Sequence, residues 1–168
     1  MYFRVFIPII LLLWSARAGG APAQRVGEAE VRDAKKGQPC FTISEREERR
    51  GGAPDFEAIS VIDTSARPRE TMWKMSMPSG RTFPVMFSMC IPYAGRVQSL
   101  PQTRATELEP GRVYEVTIDV RSGGTPEQAR SYGARFCLVR QRDGDVKVLP
   151  IAPGAREGKN SYGCMAGK

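Results

Sequence analysis

The chain has 168 residues, with 25 Lys and Arg against 18 Asp and Glu, a formal net charge of +7 and no histidine. The absence of histidine excludes Ser-His and Cys-His nucleophile pairs and a histidine general base. No recognisable acid pair takes their place, so we expect a protein that is not an enzyme and needs no cofactor.

The first 18 residues have the layout of a secretory signal peptide. Arg4 precedes an apolar run from Val5 to Trp14, and Ala16-Arg17-Ala18 supplies the A-x-A pattern of a cleavage site. A membrane-spanning helix needs about 20 apolar residues, so this run is too short for a stable anchor. An uncleaved interfacial anchor is the alternative. The sequence therefore predicts cleavage near Ala18, a periplasmic protein and no stable membrane insertion afterwards.

Residues 19–38 are predicted to be a flexible tether. The segment is rich in Ala, Gly, Pro and charged residues, and Val26 and Val31 stand alone as larger apolar side chains. A transient helical turn around Glu28 to Lys36 is the most structure that we expect there. The folded domain is then predicted to span residues 39–168.

The predicted domain shows short runs of alternating apolar residues separated by turn residues. The predicted strands are 39–44, 56–63, 71–77, 83–90, 113–121, 132–140 and 146–151. Residues 45–52 are predicted to be a charged loop, and no run of ten or more residues has a convincing helical stripe. The pattern predicts an all-β fold, an antiparallel immunoglobulin-like β-sandwich of about seven strands.

The chain has four widely spaced cysteines: Cys40, Cys90, Cys137 and Cys164. An even number in an oxidising compartment predicts two disulfides. Zinc is the rival interpretation, but there is no C-x-x-C pair and no histidine, so we expect no metal site. Three pairings are possible. Alternation puts Cys137 on the face opposite Phe136 and Leu138, where a C-terminal tail could reach it, which favours Cys137–Cys164 together with Cys40–Cys90.

Trp73 has two interpretations, which it shares with the nearby methionines Met72, Met75, Met77, Met86 and Met89. These flexible, polarizable side chains could form an adaptable apolar contact surface. Alternatively they fill the sandwich core. The core interpretation is favoured because alternation puts Trp73, Met75 and Met77 on one face.

Four phrases of the sequence, taken in order with Trp73, resemble a known family. They are Cys40-Phe41-Thr42-Ile43, Cys90-Ile91-Pro92-Tyr93, Leu108-Glu109-Pro110-Gly111-Arg112-Val113-Tyr114-Glu115-Val116 and Tyr132-Gly133-Ala134-Arg135-Phe136-Cys137-Leu138. The resemblance is to small bacterial envelope proteins described as type VI secretion immunity periplasmic lipoproteins, and it covers roughly residues 40–148. It implies an immunity protein that neutralises a secreted antibacterial toxin by binding it. Such proteins commonly have a lipidated cysteine just after the apolar run, whereas the first cysteine here is Cys40.

The candidate partner-binding residues are five arginines: Arg46, Arg49, Arg50, Arg96 and Arg104. The first three lie in the charged segment and the others bound a long irregular connection. Arginine forms bidentate pairs with carboxylates, so we expect an acidic partner protein, such as a toxin or effector. We expect no nucleic acid, because no motif interleaves aromatic and basic residues. The alternatives are a solvated turn for residues 45–50 and a mobile span for residues 96–104.

Two other functions compete with immunity. One is a structural or assembly component of the cell envelope that binds a partner constitutively. The other is a small carboxylate-dependent hydrolase, which needs two converging acids. The acids in question show no such arrangement by spacing: Asp55, Glu57, Asp63, Glu115 and Asp119.

Overall fold

The structure is a computed structural model that describes residues 25–35, 37–97, 99–121, 127–154 and 164. These residues form eight strands and one helix: β1 Val26–Lys35, β2 Gln38–Ile43, α1 Glu45–Gly51, β3 Asp55–Asp63, β4 Glu70–Ser76, β5 Ile91–Pro92, β6 Val113–Arg121, β7 Ser131–Arg140 and β8 Val146–Ile151. The predicted all-β class is confirmed. The signal peptide predicted over residues 1–18 lies outside the described residues, as do the first six residues of the predicted tether.

The strands form one curled sheet in the order β4-β3-β6-β7-β1-β2-β5, with β8 added beside β7. Strand β7 pairs with β1 through residues 131–133 and with β8 through residues 135–140. The β1–β7 pairing is parallel, and the other pairings are antiparallel. The sheet is therefore mixed, which differs from the purely antiparallel sandwich predicted from the sequence.

Strand β1 occupies ten residues that the sequence analysis assigns to a flexible tether. Its first three residues pair with β7, and from Ala29 onward it pairs with β2. Gly27, Ala29 and Val31 are buried and alternate with more exposed residues. Gly27 has no side chain and that of Ala29 is small, so the alternation of apolar and polar residues is weak. The composition therefore resembles that of a linker. Their burial on one face is nevertheless enough to form a strand.

Helix α1 replaces the charged loop predicted over residues 45–52. Ser44 caps the helix by accepting a hydrogen bond from the Glu47 N–H at 3.3 Å. Acidic residues occupy the first turn and Arg49 and Arg50 the last, which suits the helix dipole. Ser44 followed three residues later by Glu47 is the sequence pattern of a capping box, a signal that predicts this helix start.

The strand predicted over residues 83–90 is not formed. An isolated bridge joins Asp55 and Pro84, and most of the segment is irregular. Proline lacks the N–H that a regular ladder needs, which accounts for the interruption. The segment is held instead by single bonds, such as the Thr42 hydroxyl donating to the Met86 carbonyl at 2.7 Å.

The core lies inside the curl of the sheet and contains several fully buried aromatic side chains. They are Trp73, Tyr114, Tyr132, Phe41, Phe56 and Phe136. The Phe136 ring lies 5.6 Å from Phe41 and 5.5 Å from Tyr114, between centroids, so β2, β6 and β7 meet in one aromatic cluster. Met72 and Met75 are also buried, whereas Met86 is 41% exposed. The core interpretation is thus confirmed for Trp73 and these two methionines.

Both preferred disulfides are present. The Cα atoms of Cys40 and Cys90 lie 5.3 Å apart, and those of Cys137 and Cys164 lie 5.8 Å apart. Cys137 packs with Ile151 and Cys164 in a small cluster outside the main core, as the alternation along β7 predicts. On the loop-closure model the two bridges stabilise the fold by about 4 and about 3.5 kcal/mol.

Gly27 provides a test of β1, because the ring of Tyr132 lies directly over its backbone. A Cβ at position 27 would lie 2.4 Å from Cδ1 of Tyr132, and that ring is fully buried. We therefore expect Gly27→Ala to lower the free energy of unfolding by about 1–3 kcal/mol. Gly133→Ala is the matched control, since its nearest neighbour would be 3.8 Å away. Equal urea midpoints for the two variants would contradict the placement of β1.

Candidate functional site: an arginine groove beside strand β4

The candidate site lies at the outer edge of β4, where residues 101–106 run along the strand. The Ser76 N–H donates to the Pro101 carbonyl, and the Thr103 N–H donates to the Lys74 carbonyl, both at 2.9 Å. The Lys74 N–H donates to the Thr103 hydroxyl, also at 2.9 Å. These bonds satisfy polar groups that would otherwise be exposed at a sheet edge. They also attach the second half of the long 96–104 connection to β4.

A groove of about 500 Å³ opens between this edge segment and the turn after β5. Its lining consists of Trp73, Ala94, Arg96, Gln102, Thr103, Arg104 and Ala105. We call it the arginine groove. Two of the five arginines that the sequence analysis nominated therefore meet at one place, although they are eight residues apart in the chain.

Arg96 and Arg104 are both exposed. Among the described residues neither forms a hydrogen bond or an ion pair. By contrast, Arg112 binds the buried carboxylate of Asp63 at 2.6 Å. Two unpaired guanidinium groups on one groove produce a local positive potential that attracts anions.

Trp73 contributes to the wall of the groove and is fully buried. Its Nε1 has no hydrogen-bond partner within the described part of the chain. An indole N–H is a donor only and normally finds an acceptor when buried. A buried donor without a hydrogen bond lowers the free energy of unfolding by about 1–3 kcal/mol. A buried donor without a described partner thus belongs to one of the residues that line the groove.

Tyr93 supports the groove from below. Its ring packs edge-on against Trp73, with 5.5 Å between centroids. Its hydroxyl lies 2.6 Å from the Thr106 carbonyl and 3.2 Å from the Met72 carbonyl, so it links β4 to the edge segment. Burial raises the pKa of Tyr93 well above its ordinary value, and the hydroxyl remains a neutral donor at physiological pH.

Ala94 gives the groove an unusual backbone. Its φ is +58°, in the left-handed region that residues with a Cβ seldom adopt. Such residues persist where the surrounding structure imposes the conformation, and they are concentrated at functional sites. The sequence does not predict this feature, because an alanine, unlike a glycine, gives no indication of a positive φ.

The other three nominated arginines lie on α1, apart from the groove. Arg46 pairs with Glu28 at 2.8 Å, and Arg49 pairs with Glu45 one turn earlier. Arg46 and Arg50 line a separate depression of about 350 Å³. The structure therefore divides the five candidates into two surfaces, and most of the α1 charge is already neutralised by neighbouring carboxylates.

A buried ion pair attaches α1 to the start of β1. The Arg25 Nη1 donates to Oε1 of Glu47 at 2.9 Å and lies 2.7 Å from Oε2. Only 3% of the Glu47 side chain is exposed. The sequence pattern of residues 45–50 allows a solvated charged turn, whereas Glu47 is buried and anchors the helix.

Two of the acids considered for hydrolysis form ion pairs, Asp63 with Arg112 and Glu57 with Arg121. Asp63 is fully buried; besides Arg112, its carboxylate accepts hydrogen bonds from the backbone N–H groups of Ser65 and Ala66 at 2.7 and 3.1 Å. It thus closes the turn after β3. Burial raises the pKa of Asp119, with Lys74 opposing the shift.

Another cleft, of about 720 Å³, lies where β1 and β8 diverge beside β7. Two of its carboxylates are already paired, Glu28 with Arg46 and Glu30 with Arg32 at 2.8 Å each. The cleft therefore provides fewer unpaired groups than the arginine groove.

Comparison with models of known protein families, with curated proteins and with solved structures found no match. The resemblance to type VI immunity proteins accordingly stays a prediction. Across the described ranges, no helix is long and apolar enough to span a membrane.

The α1 anchor can be tested by comparing two arginine substitutions. Arg25→Met leaves the buried Glu47 carboxylate without its cation, so we expect a loss of about 1–3 kcal/mol in the free energy of unfolding. Arg49→Met removes an exposed pair within one helix, for which we expect a loss of about 0.3–0.5 kcal/mol. Urea denaturation under non-reducing conditions measures both. A larger loss for Arg49→Met would show that the anchor is assigned to the wrong arginine.

Proposed function

We propose that this protein is an exported, periplasmic binding protein that binds an acidic partner protein through the arginine groove. The single observation that carries the proposal is the pair Arg96 and Arg104, exposed at one groove and without partners among the described residues. Exposed arginines that already have carboxylate partners add little to an interface, whereas unpaired ones can form new bidentate contacts.

The partner class follows from charge and from the resemblance described above. The chain has seven more basic than acidic side chains, and it retains an excess of five if Arg4 and Arg17 leave with a signal peptide. A basic protein associates faster with an acidic partner, and salt reduces that rate. The resemblance to immunity proteins supports a secreted antibacterial toxin as that partner. A constitutive envelope component is the second function, and the experiment below separates the two.

Two substitutions test the proposed interface. We expect Arg96→Glu with Arg104→Glu to abolish protection of cells that produce a periplasm-directed toxin encoded beside this protein. Binding between the purified partners should weaken by at least about 100-fold, because two attractive contacts become repulsive. The unfolding midpoint should remain unchanged, since both side chains are exposed and unpaired in the described structure.

The matched control changes the net charge by the same amount at two arginines outside the groove. Arg81 and Arg142 are exposed and lie in other turns, so Arg81→Glu with Arg142→Glu should retain protection. A second pair, Arg49→Glu with Arg50→Glu, tests the α1 surface. If cells die equally with and without the wild-type protein and no complex forms, immunity is wrong and an assembly role replaces it.

Export can be tested on the same material. We expect protein released by osmotic shock to begin near Gly19, with no lipid attached and no free thiol. Intact-mass measurement under non-reducing conditions would give the mass of residues 19–168 less four hydrogens. A mass that includes residues 1–18 or an acyl chain would overturn the predicted leader.

A further inference from the structure

We infer that the arginine groove is a carboxylate-binding site that receives an aspartate or glutamate side chain of the partner protein between Arg96 and Arg104. The inference rests on the proposed function and names the chemical group that the groove recognises. It is argued from the hydrogen-bonding capacity of the lining residues.

The first argument is that the groove offers mainly donors. Arg96, Arg104 and Trp73 are donor-only side chains. The Thr103 hydroxyl accepts from the Lys74 N–H, which leaves its own proton available to a ligand. The side-chain amide of Gln102 already donates to the Val97 carbonyl at 3.3 Å. A group that accepts several hydrogen bonds and donates none is the complement, and an ionised carboxylate is such a group.

The second argument is electrostatic. Like charges that share one groove repel each other, and here no described carboxylate compensates Arg96 or Arg104. A single anion in the groove would gain from both guanidinium groups, because each can donate charge-assisted hydrogen bonds to it. The nearby pair Arg112–Asp63 shows that this fold does neutralise an arginine where a carboxylate is within reach. The groove differs because its counter-charge must come from outside the described chain.

The third argument is the buried indole. Within the described part of the chain, the N–H of the fully buried Trp73 has no acceptor, and Trp73 is one of the residues that line the groove. A carboxylate oxygen that reached this N–H would provide the acceptor. This single contact would favour an anion that inserts over one that only rests on the surface.

The test uses the full chain and a defined probe. The probe is a capped hexapeptide containing four glutamates, with the corresponding glutamine peptide as its uncharged match, and isothermal titration calorimetry measures both. We expect saturable one-to-one binding of the glutamate peptide, at least about ten-fold tighter than the glutamine peptide. Arg96→Gln and Arg104→Gln should each weaken binding by about five-fold or more, whereas Arg142→Gln should change it by less than about two-fold.

Trp73→Phe keeps a buried aromatic ring but removes the N–H. It should weaken glutamate-peptide binding by about three-fold or more while the protein remains folded by circular dichroism. Free acetate and inorganic phosphate are the competing arms, and neither should bind as tightly as the glutamate peptide. Tighter binding of phosphate, equal binding of the glutamine peptide, or an equal loss with Arg142→Gln would each overturn the carboxylate site.

The two proposals can fail separately. Protection against the toxin without glutamate-peptide binding would remove the carboxylate site and leave the immunity role. Saturable peptide binding that depends on Arg96 and Arg104, but without protection in cells, would support the site and remove the immunity role.

Discussion

The pairing of β1 with two different strands is the constraint on which the rest of the architecture depends. Its first residues lie parallel to β7, and after Glu28 the strand continues alongside β2. The same strand thereby joins β2 and β5 to the other strands, and the curled sheet encloses a common aromatic core. Gly27 makes this crossing possible because the buried Tyr132 ring occupies the space that any side chain would need.

The candidate site lies where the edge of β4 and the turn after β5, the two ends of the sheet order, line one groove. An uncovered β4 would present unpaired N–H and C=O groups to other chains. Residues 101–106 satisfy several of them, and in doing so they place Arg104 in the same groove as Arg96 and Trp73. Edge protection and the arginine groove are therefore two consequences of one set of hydrogen bonds. Tyr93 strengthens that set from inside the core.

Some charged side chains in this protein have ion-pair partners and others have none among the described residues. The candidate arginines therefore differ in their capacity to bind a partner protein. On α1, Arg46 and Arg49 have carboxylate partners that reduce their capacity for new contacts. In the groove, Arg96 and Arg104 have none in the described structure. Composition alone cannot make this distinction, because it depends on which acids approach which bases after folding.

The sequence by itself predicted the β class, six of the eight strands and, as the preferred of three possible pairings, both disulfides, because period-two alternation and cysteine placement are local signals. It missed β1 because Gly27 and Ala29 carry little hydrophobic signal, and it missed α1 although Ser44 and Glu47 have the spacing of a capping box. Tertiary structure decided the mixed topology, the buried Arg25–Glu47 pair and the meeting of Arg96 with Arg104. Each of these depends on contacts between residues that are distant in sequence. Such contacts form only after folding has brought the residues together, so local sequence patterns do not predict them.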